Sequence, residues 1–296
     1  MILILGTIFA GLLGLAFGSF LNVCLSRWPG GESIITPRSH CRSCARTLAW
    51  WENIPLVSWL ALRGRCRTCR AWIGWRYPLV ELAIGSLWAF AAWQALPWVL
   101  YPYKIEIYPY EHIASVLQSM LLYWLLVGLA ALDAEHLWIP DWITIPATVF
   151  GSLFELVPLV RLWSLRITYE DISAKAGWGA AEYVLGILAA AGLILLIRWL
   201  YWLIRRREGI GLGDAKLMAL LAAWLGLPGA LLAFGLGVVL GALVAVVLLA
   251  IPAARTETSG WALKKLPLGT FLCVGGIVSS LWGQPIIAAY RGRAGF

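Results

Sequence analysis

The sequence predicts an all-α, polytopic membrane bundle of about eight spans, with a polar, cysteine-bearing loop after the first span. Three observations predict it. Hydrophobic residues make up 61% of the 296, against roughly half in soluble chains. Charged residues fall to 13%, about half their usual share. Apolar runs close to the about 20 residues that cross a bilayer as helix recur along the whole chain. The mean hydropathy of +0.81 agrees. So much apolar surface cannot be hidden in one core. A soluble enzyme, a disordered chain and a disulfide-stapled secreted domain are therefore excluded.

In chain order the spans fall at 2–25, 79–100, 113–132, 142–160, 180–204, 215–227, 229–251 and 268–289. The sixth is short and runs through Gly226, Leu227 and Pro228 into the seventh, so this boundary is the least sharp. The first lacks a basic leading segment and is too long for a signal sequence, so it reads as a retained span. Segment 161–178 reads as a long outer loop. The chain divides into a first helix (1–26), an arginine-rich loop (27–78) and a membrane core (79–296).

The loop 27–78 carries nine arginines against two acids, Glu32 and Glu52. Basic loops stay in the cytoplasm, which predicts a cytoplasmic loop and an outer N-terminus. With eight spans, Arg205–Arg207 and the cluster of Arg255, Lys264 and Lys265 fall on the same side, while Arg291 and Arg293 fall outside. The net charge of +8 is accounted for by orientation, so no nucleic-acid partner is expected.

Within the loop, Cys41-Arg-Ser-Cys44 and Cys66-Arg-Thr-Cys69 are separated by 21 residues. Two CxxC turns suit a tetrahedral zinc, because each presents two sulfurs to one ion. A reducing compartment disfavours the alternative of disulfides. Four protein ligands leave no open position, so the zinc is expected to be structural and to give the loop a core. His40 precedes Cys41 and is expected to stay out of the ligand set. Cys24 and Cys273 lie in apolar spans and read as small packing residues.

Charges beside hydrocarbon are costly and ask for a reason. Asp133 closes the third span and Asp214 opens the sixth, within Gly211-Leu212-Gly213-Asp214. The topology puts both at the cytoplasmic edge. Two carboxyls brought together cannot both ionise cheaply. The ionised one can take a proton from water while the protonated one hydrogen-bonds a scissile carbonyl: an aspartyl protease dyad. Glycines at 211 and 213 let backbone bend or substrate approach closely. The plainer reading of Asp214 is a helix N-terminal acid.

Asp141, after Pro140, and Glu81, after Pro78, read as helix-start acids. Lys216 either biases the acid pair or reaches toward the interface. Glu135 and His136 are explained by a short turn, and His112 carries no chemistry. Trp98, Trp138 and Trp142 stand near span ends, where aromatic belts form.

These motifs resemble the bacterial type IV prepilin peptidases, bifunctional leader peptidases and N-methyltransferases with a GxGD motif. The resemblance covers most of the chain. It is carried by Gly18-Ser19-Phe20-Leu21-Asn22-Val23 with Arg27-Trp28-Pro29, by Trp51-Glu52-Asn53-Ile54-Pro55, and by Arg63-Gly64-Arg65-Cys66. Arg76-Tyr77-Pro78-Leu79-Val80-Glu81, Asp133 with Ile139-Pro140-Asp141, Gly209 through Leu217, and Leu266-Pro267-Leu268-Gly269-Thr270 follow in family order. Arg42 departs from a proline common in the family. The resemblance implies Asp133 and Asp214 as catalytic residues. It implies a prepilin or pseudopilin substrate, cut after a glycine at the cytoplasmic edge of the bacterial inner membrane, in service of pili or type II secretion. It further implies methylation of the new amine by S-adenosylmethionine, with methyl transfer tied to the cysteine loop. No glycine-rich nucleotide loop is present, and Glu52 and Asn53 are the candidates for the methyl-donor site. The competing readings are a transporter with acids lining an ion path and a zinc-loop scaffold.

Overall fold

The computed structural model describes residues 1–100, 109–164, 170–207, 209, 211–250 and 266–294, and their side chains apart from those of 98–100, 109–112, 157–164, 170–178 and 294. The basic cluster at 255, 264 and 265, Ile210 of the second acid motif, and the side chains of Trp98 and His112 lie outside what is described.

The described residues are mostly helical, with no extended strand beyond two isolated bridges in the loop. Eight helices follow in order: α1 (Ile2–Arg27), α2 (Val57–Ala61), α3 (Arg76–Leu100), α4 (Pro109–His136), α5 (Asp141–Ser164), α6 (Glu170–Arg205), α7 (Leu212–Ala250) and α8 (Leu268–Ala294). Among the described residues, six of them are long and apolar enough to cross a bilayer: α1, α3, α4, α6, α7 and α8. The chain is a multi-pass membrane protein.

Helix α7 breaks at Gly226, whose φ of 69° and ψ of 169° are not helical. Its first part, about 14 residues and roughly 21 Å long, is too short for a full crossing; the second, to Ala250, is long enough. The sixth and seventh spans of the sequence are thus two pieces of one broken helix, parted at the expected glycine. The expected outer loop at 161–178 is corrected: α5 runs to Ser164 and α6 already begins at Glu170. Residues 161–164 thus belong to α5 and 170–178 to α6, while 165–169 lie outside the described residues.

The chain forms two compact units, Met1–Gly128 and Leu129–Phe296, with the division inside α4. In the first, α1 packs along α3. A Cβ on Gly18 would lie 2.7 Å from Glu81 Cα, so only glycine allows the two backbones to approach this closely. Indole N–H groups find carbonyls inside the apolar layer: Trp88 donates to Met120 O at 2.9 Å and Trp124 to Phe17 O at 3.2 Å. In the second unit, α7 packs on α5, α6 and α8. Trp224 donates to Ala147 O at 2.9 Å, and Ser279 to Gly229 O at 2.8 Å. These indole and hydroxyl donors are satisfied internally, as a water-free layer requires.

Glu81 is corrected too. It is not a helix-start acid, because α3 begins at Arg76 and Pro78 lies inside its first turn, where a missing N–H costs nothing. Glu81 is buried, and its carboxylate accepts the Leu56 N–H at 2.8 Å, fastening the loop to α3.

Candidate active site and metal centre

In the second unit, α4 ends just after Asp133. Leu137 takes a left-handed conformation (φ 51°) and its N–H bonds Asp133 O at 2.9 Å, closing the helix. The chain then turns through Ile139 and Pro140, and Pro140 O accepts the Ile143 and Thr144 N–H groups at the start of α5. This short turn sets Ile139 between two other segments. A Cβ on Gly213 would lie 3.1 Å from Ile139 Cβ, and one on Gly269 would lie 2.7 Å from Ile139 Cδ1. The α4–α5 turn, the start of α7 and the start of α8 therefore meet around one side chain.

Both acids stand at this junction, and both are buried: Asp133 is 6% and Asp214 7% exposed. Asp133 is near enough to act electrostatically on Asp214. Asp133 Oδ2 accepts the Thr270 N–H at 2.7 Å and the Thr270 hydroxyl at 3.2 Å. The Gly269 N–H adds to the donors acting on this carboxyl. Asp214 is the third residue of α7, and its Oδ2 accepts the Gly211 N–H at 3.2 Å. That is a carboxylate reaching back over the first turn to cap its own helix. The plainer sequence reading of Asp214 is thus realised in the same side chain that meets Asp133.

Lys216 is paired with Asp141 at 2.5 Å, with both side chains partly exposed. Its ammonium is thereby committed to the first residue of α5. Glu135 and His136 lie side by side at 3.8 Å, both exposed. Sequence reasoning assigned no role to Gly269, Thr270 or Ile139. The available signal was a Gly-Thr pair opening an otherwise apolar span.

In the first unit, the two CxxC segments fold alike. The Cys41 N–H bonds Arg46 O at 2.9 Å and the Ala45 N–H bonds Cys41 O at 2.8 Å. The Cys66 N–H bonds Ala71 O at 2.9 Å and the Arg70 N–H bonds Cys66 O at 3.0 Å. Bridges His40–Thr47 and Arg65–Trp72 close the two turns. The four sulfurs of Cys41, Cys44, Cys66 and Cys69 lie within 4.8 Å of one another. Cys41 and Cys69 Sγ are 3.7 Å apart. Sulfurs at about 2.3 Å from a tetrahedral zinc stand about 3.8 Å apart, so the set fits such an ion. The N–H groups of Cys69 and Thr68 pull the Cys66 thiol down to about 6, and the Cys44 N–H lowers that of Cys41. These donors favour the thiolate, the form that binds metal, at Cys66 and Cys41, while burial and the neighbouring thiols push Cys69 up to about 11. His40 is turned to Arg38 O at 3.1 Å and stays outside the cluster. Cys24 and Cys273 are buried packing residues, as expected.

Glu52 is buried beside these turns. Its carboxylate takes Arg46 at 2.6 Å and the Ala49 N–H at 2.7 Å, and the Arg46 guanidinium holds it below the ordinary glutamate range. Asn53 next to it is exposed. Trp59, Trp72 and Trp75 pack ring to ring at 4.6 to 5.8 Å.

Residues 12–95 match the Bacterial Peptidase A24 N-terminal domain, and residues 120–246 match the Type IV leader peptidase family. The chain is 34% identical to a prepilin leader peptidase/N-methyltransferase of Stutzerimonas stutzeri, covering 94% of this chain and 91% of that one. It is 33% identical to one of Pseudomonas aeruginosa, covering 96% and 93%. Over 76% of this chain and 58% of the other, it is 40% identical to one of Myxococcus xanthus. No solved structure matches the chain. These matches span both units and both acids, and the chain belongs to the type IV leader peptidase family.

Proposed function

We propose that the chain removes the leader from prepilins or pseudopilins at the cytoplasmic face of the bacterial inner membrane and then N-methylates the exposed amine. The observation that carries the peptidase reading is the meeting of two buried carboxyls, 81 residues apart in sequence, around Ile139. Among the described residues, Asp133 receives more donors than Asp214. In the resting pair Asp133 holds the negative charge and Asp214 the proton. Asp133 takes a proton from water as the water oxygen bonds the scissile carbonyl carbon. Asp214 passes its proton to the carbonyl oxygen. The tetrahedral centre then collapses: the C–N bond breaks, the leaving amine takes the proton from Asp133, and Asp214 recovers one from the hydroxyl. The pair ends as it began.

The acids stand at helix ends, not at mid-span: Asp133 is three residues from the end of α4, and Asp214 is in the first turn of α7. That depth suits a cut where a basic leader meets an apolar helix, and it does not suit an ion path. The excess of arginine in 27–78 supports a cytoplasmic loop. Methyl transfer belongs to that loop, and cleavage to the core after residue 79. S-adenosylmethionine, when bound, supplies the electrophilic methyl group. Asn53 offers an exposed amide for it, while Glu52, committed to Arg46 and Ala49, shapes the turn. The four cysteines would hold a structural zinc. Neither step calls for nucleic acid.

The test is incubation of the detergent-purified enzyme with a prepilin and S-adenosylmethionine, read by mass for leader loss and methyl gain. Asp133→Asn and Asp214→Asn each abolish leader loss while the protein still melts as the wild type does. Cleavage retained by either variant refutes the dyad.

A further inference from the structure

Among the described residues, the hydrogen bonds placed on the acid pair fall on one oxygen of each acid, and the Gly269 N–H adds to the donors acting on Asp133. Asp214 Oδ2 is held by the Gly211 N–H at 3.2 Å. Asp133 Oδ2 is held from another helix altogether. The N–H of Thr270 reaches it at 2.7 Å and the Thr270 hydroxyl at 3.2 Å. The same hydroxyl lies 3.0 Å from Ala130 O, one helical turn before Asp133 on α4. Gly269 makes this approach possible, since a Cβ there would stand 2.9 Å from Asp133 Oδ2.

A threonine hydroxyl has one proton and serves one acceptor at a time. While Asp133 is charged, that proton points at Oδ2. Once Asp133 has taken a proton, the hydroxyl is free to turn to Ala130 O by rotation about its own C–O bond. The two acceptors lie at similar distances, so the partner follows the charge without moving a heavy atom. The fixed N–H keeps Oδ2 an acceptor throughout. Proton exchange with water and the leaving amine then falls to Oδ1.

We propose that Thr270 is the positioning residue of the peptidase: its N–H and hydroxyl pin Asp133 Oδ2 and leave Oδ1 as the oxygen that exchanges the proton. This rests on the dyad reading above. Thr270 acts through Asp133 and touches no substrate.

Three substitutions separate this role from packing. Thr270→Val keeps volume and backbone N–H but loses the hydroxyl. Thr270→Ser keeps the hydroxyl but loses the methyl. Thr270→Ala loses both. Charge-assisted hydrogen bonds of this kind predict that Val and Ala lower kcat for leader cleavage by roughly 10- to 100-fold. KM for prepilin stays put, and Ser restores most of kcat. A melting curve in the same detergent is measured in parallel as a readout of fold. A packing role gives the opposite order, with Val active and Ser as slow as Ala, and overturns the proposal. If Val fails to fold, the Ser and Ala pair decides alone: Ser no faster than Ala overturns it. Asp133→Asn and Asp214→Asn keep the two claims apart. If both are inactive and Thr270→Val keeps full kcat, only the Thr270 role fails. If either aspartate variant still cleaves, the dyad itself fails.

Discussion

Gly269→Ala perturbs the acid pair by a known amount. The added Cβ would lie 2.9 Å from Asp133 Oδ2, 3.0 Å from Cγ and 2.7 Å from Ile139 Cδ1. Ile139 meets it with the end of a flexible side chain and can swing away. Asp133 cannot do so cheaply, because Oδ2 is held at 2.7 Å by a backbone N–H. Ordinary contact begins near 3.4 Å, so the carboxyl must retreat by about 0.5 Å. Misplacement by about 1 Å costs on the order of 100-fold in rate, and half of that predicts a fall of roughly tenfold in kcat. Stability is not expected to follow. Gly269 has no positive φ and lies in the first turn of α8, where alanine is favoured over glycine by up to about 1 kcal/mol. Leader loss is followed by mass at saturating prepilin, alongside a melting curve in the same detergent. Gly213→Ala serves for comparison, since the three atoms nearest its Cβ would all belong to Ile139, the closest at 3.1 Å, and it should slow the enzyme less. If Gly269→Ala cleaves at the wild-type kcat, Asp133 is not held as described, or it does not act in the reaction.

The loop makes two further predictions. Purified enzyme carries about one zinc per chain, and Cys66→Ser loses it along with methyl transfer while leader cleavage survives; metal analysis beside the two-product mass assay reads both, and a metal-free wild type would remove the zinc site. Glu52 is held below its ordinary value of 4.5 by Arg46, so its contribution to the loop is complete above pH 4.5 and is lost as pH falls through the lower, folded value. Proteolysis within 27–78 should therefore be faster for Glu52→Gln than for wild type from pH 7 to about 5, with the gap closing in stronger acid; a gap that widens in acid contradicts the sign.

What could be read from the chain beforehand was what is local. Each CxxC turn makes its ligands' geometry out of six or seven neighbouring residues, so spacing alone sufficed to group the four sulfurs. Even there, the left-handed residues that close the turns are Ala45 and Arg70, not the glycines that would have announced them. Gly226 and Pro228 punctuated α7 where it breaks. Pro78 signals a helix start beside Glu81, but α3 starts two residues before that proline and carries Glu81 past its first turn. Glu52 reads in the sequence as a methyl-donor candidate, and nothing local tells that Arg46 and the Ala49 N–H enclose it. The acid pair shows the limit most sharply. Depth could be inferred from where each Asp falls in its span, but not what holds the pair in place. Asp133 takes its firmest hydrogen bond from a residue 137 positions later. Nothing in α4 calls for Thr270, and nothing in α8 calls for an acid. Only packing brings Gly269, Ile139 and Gly213 within contact. A motif names the carboxyls, but which of their oxygens is left to work is decided by the helices that meet around them.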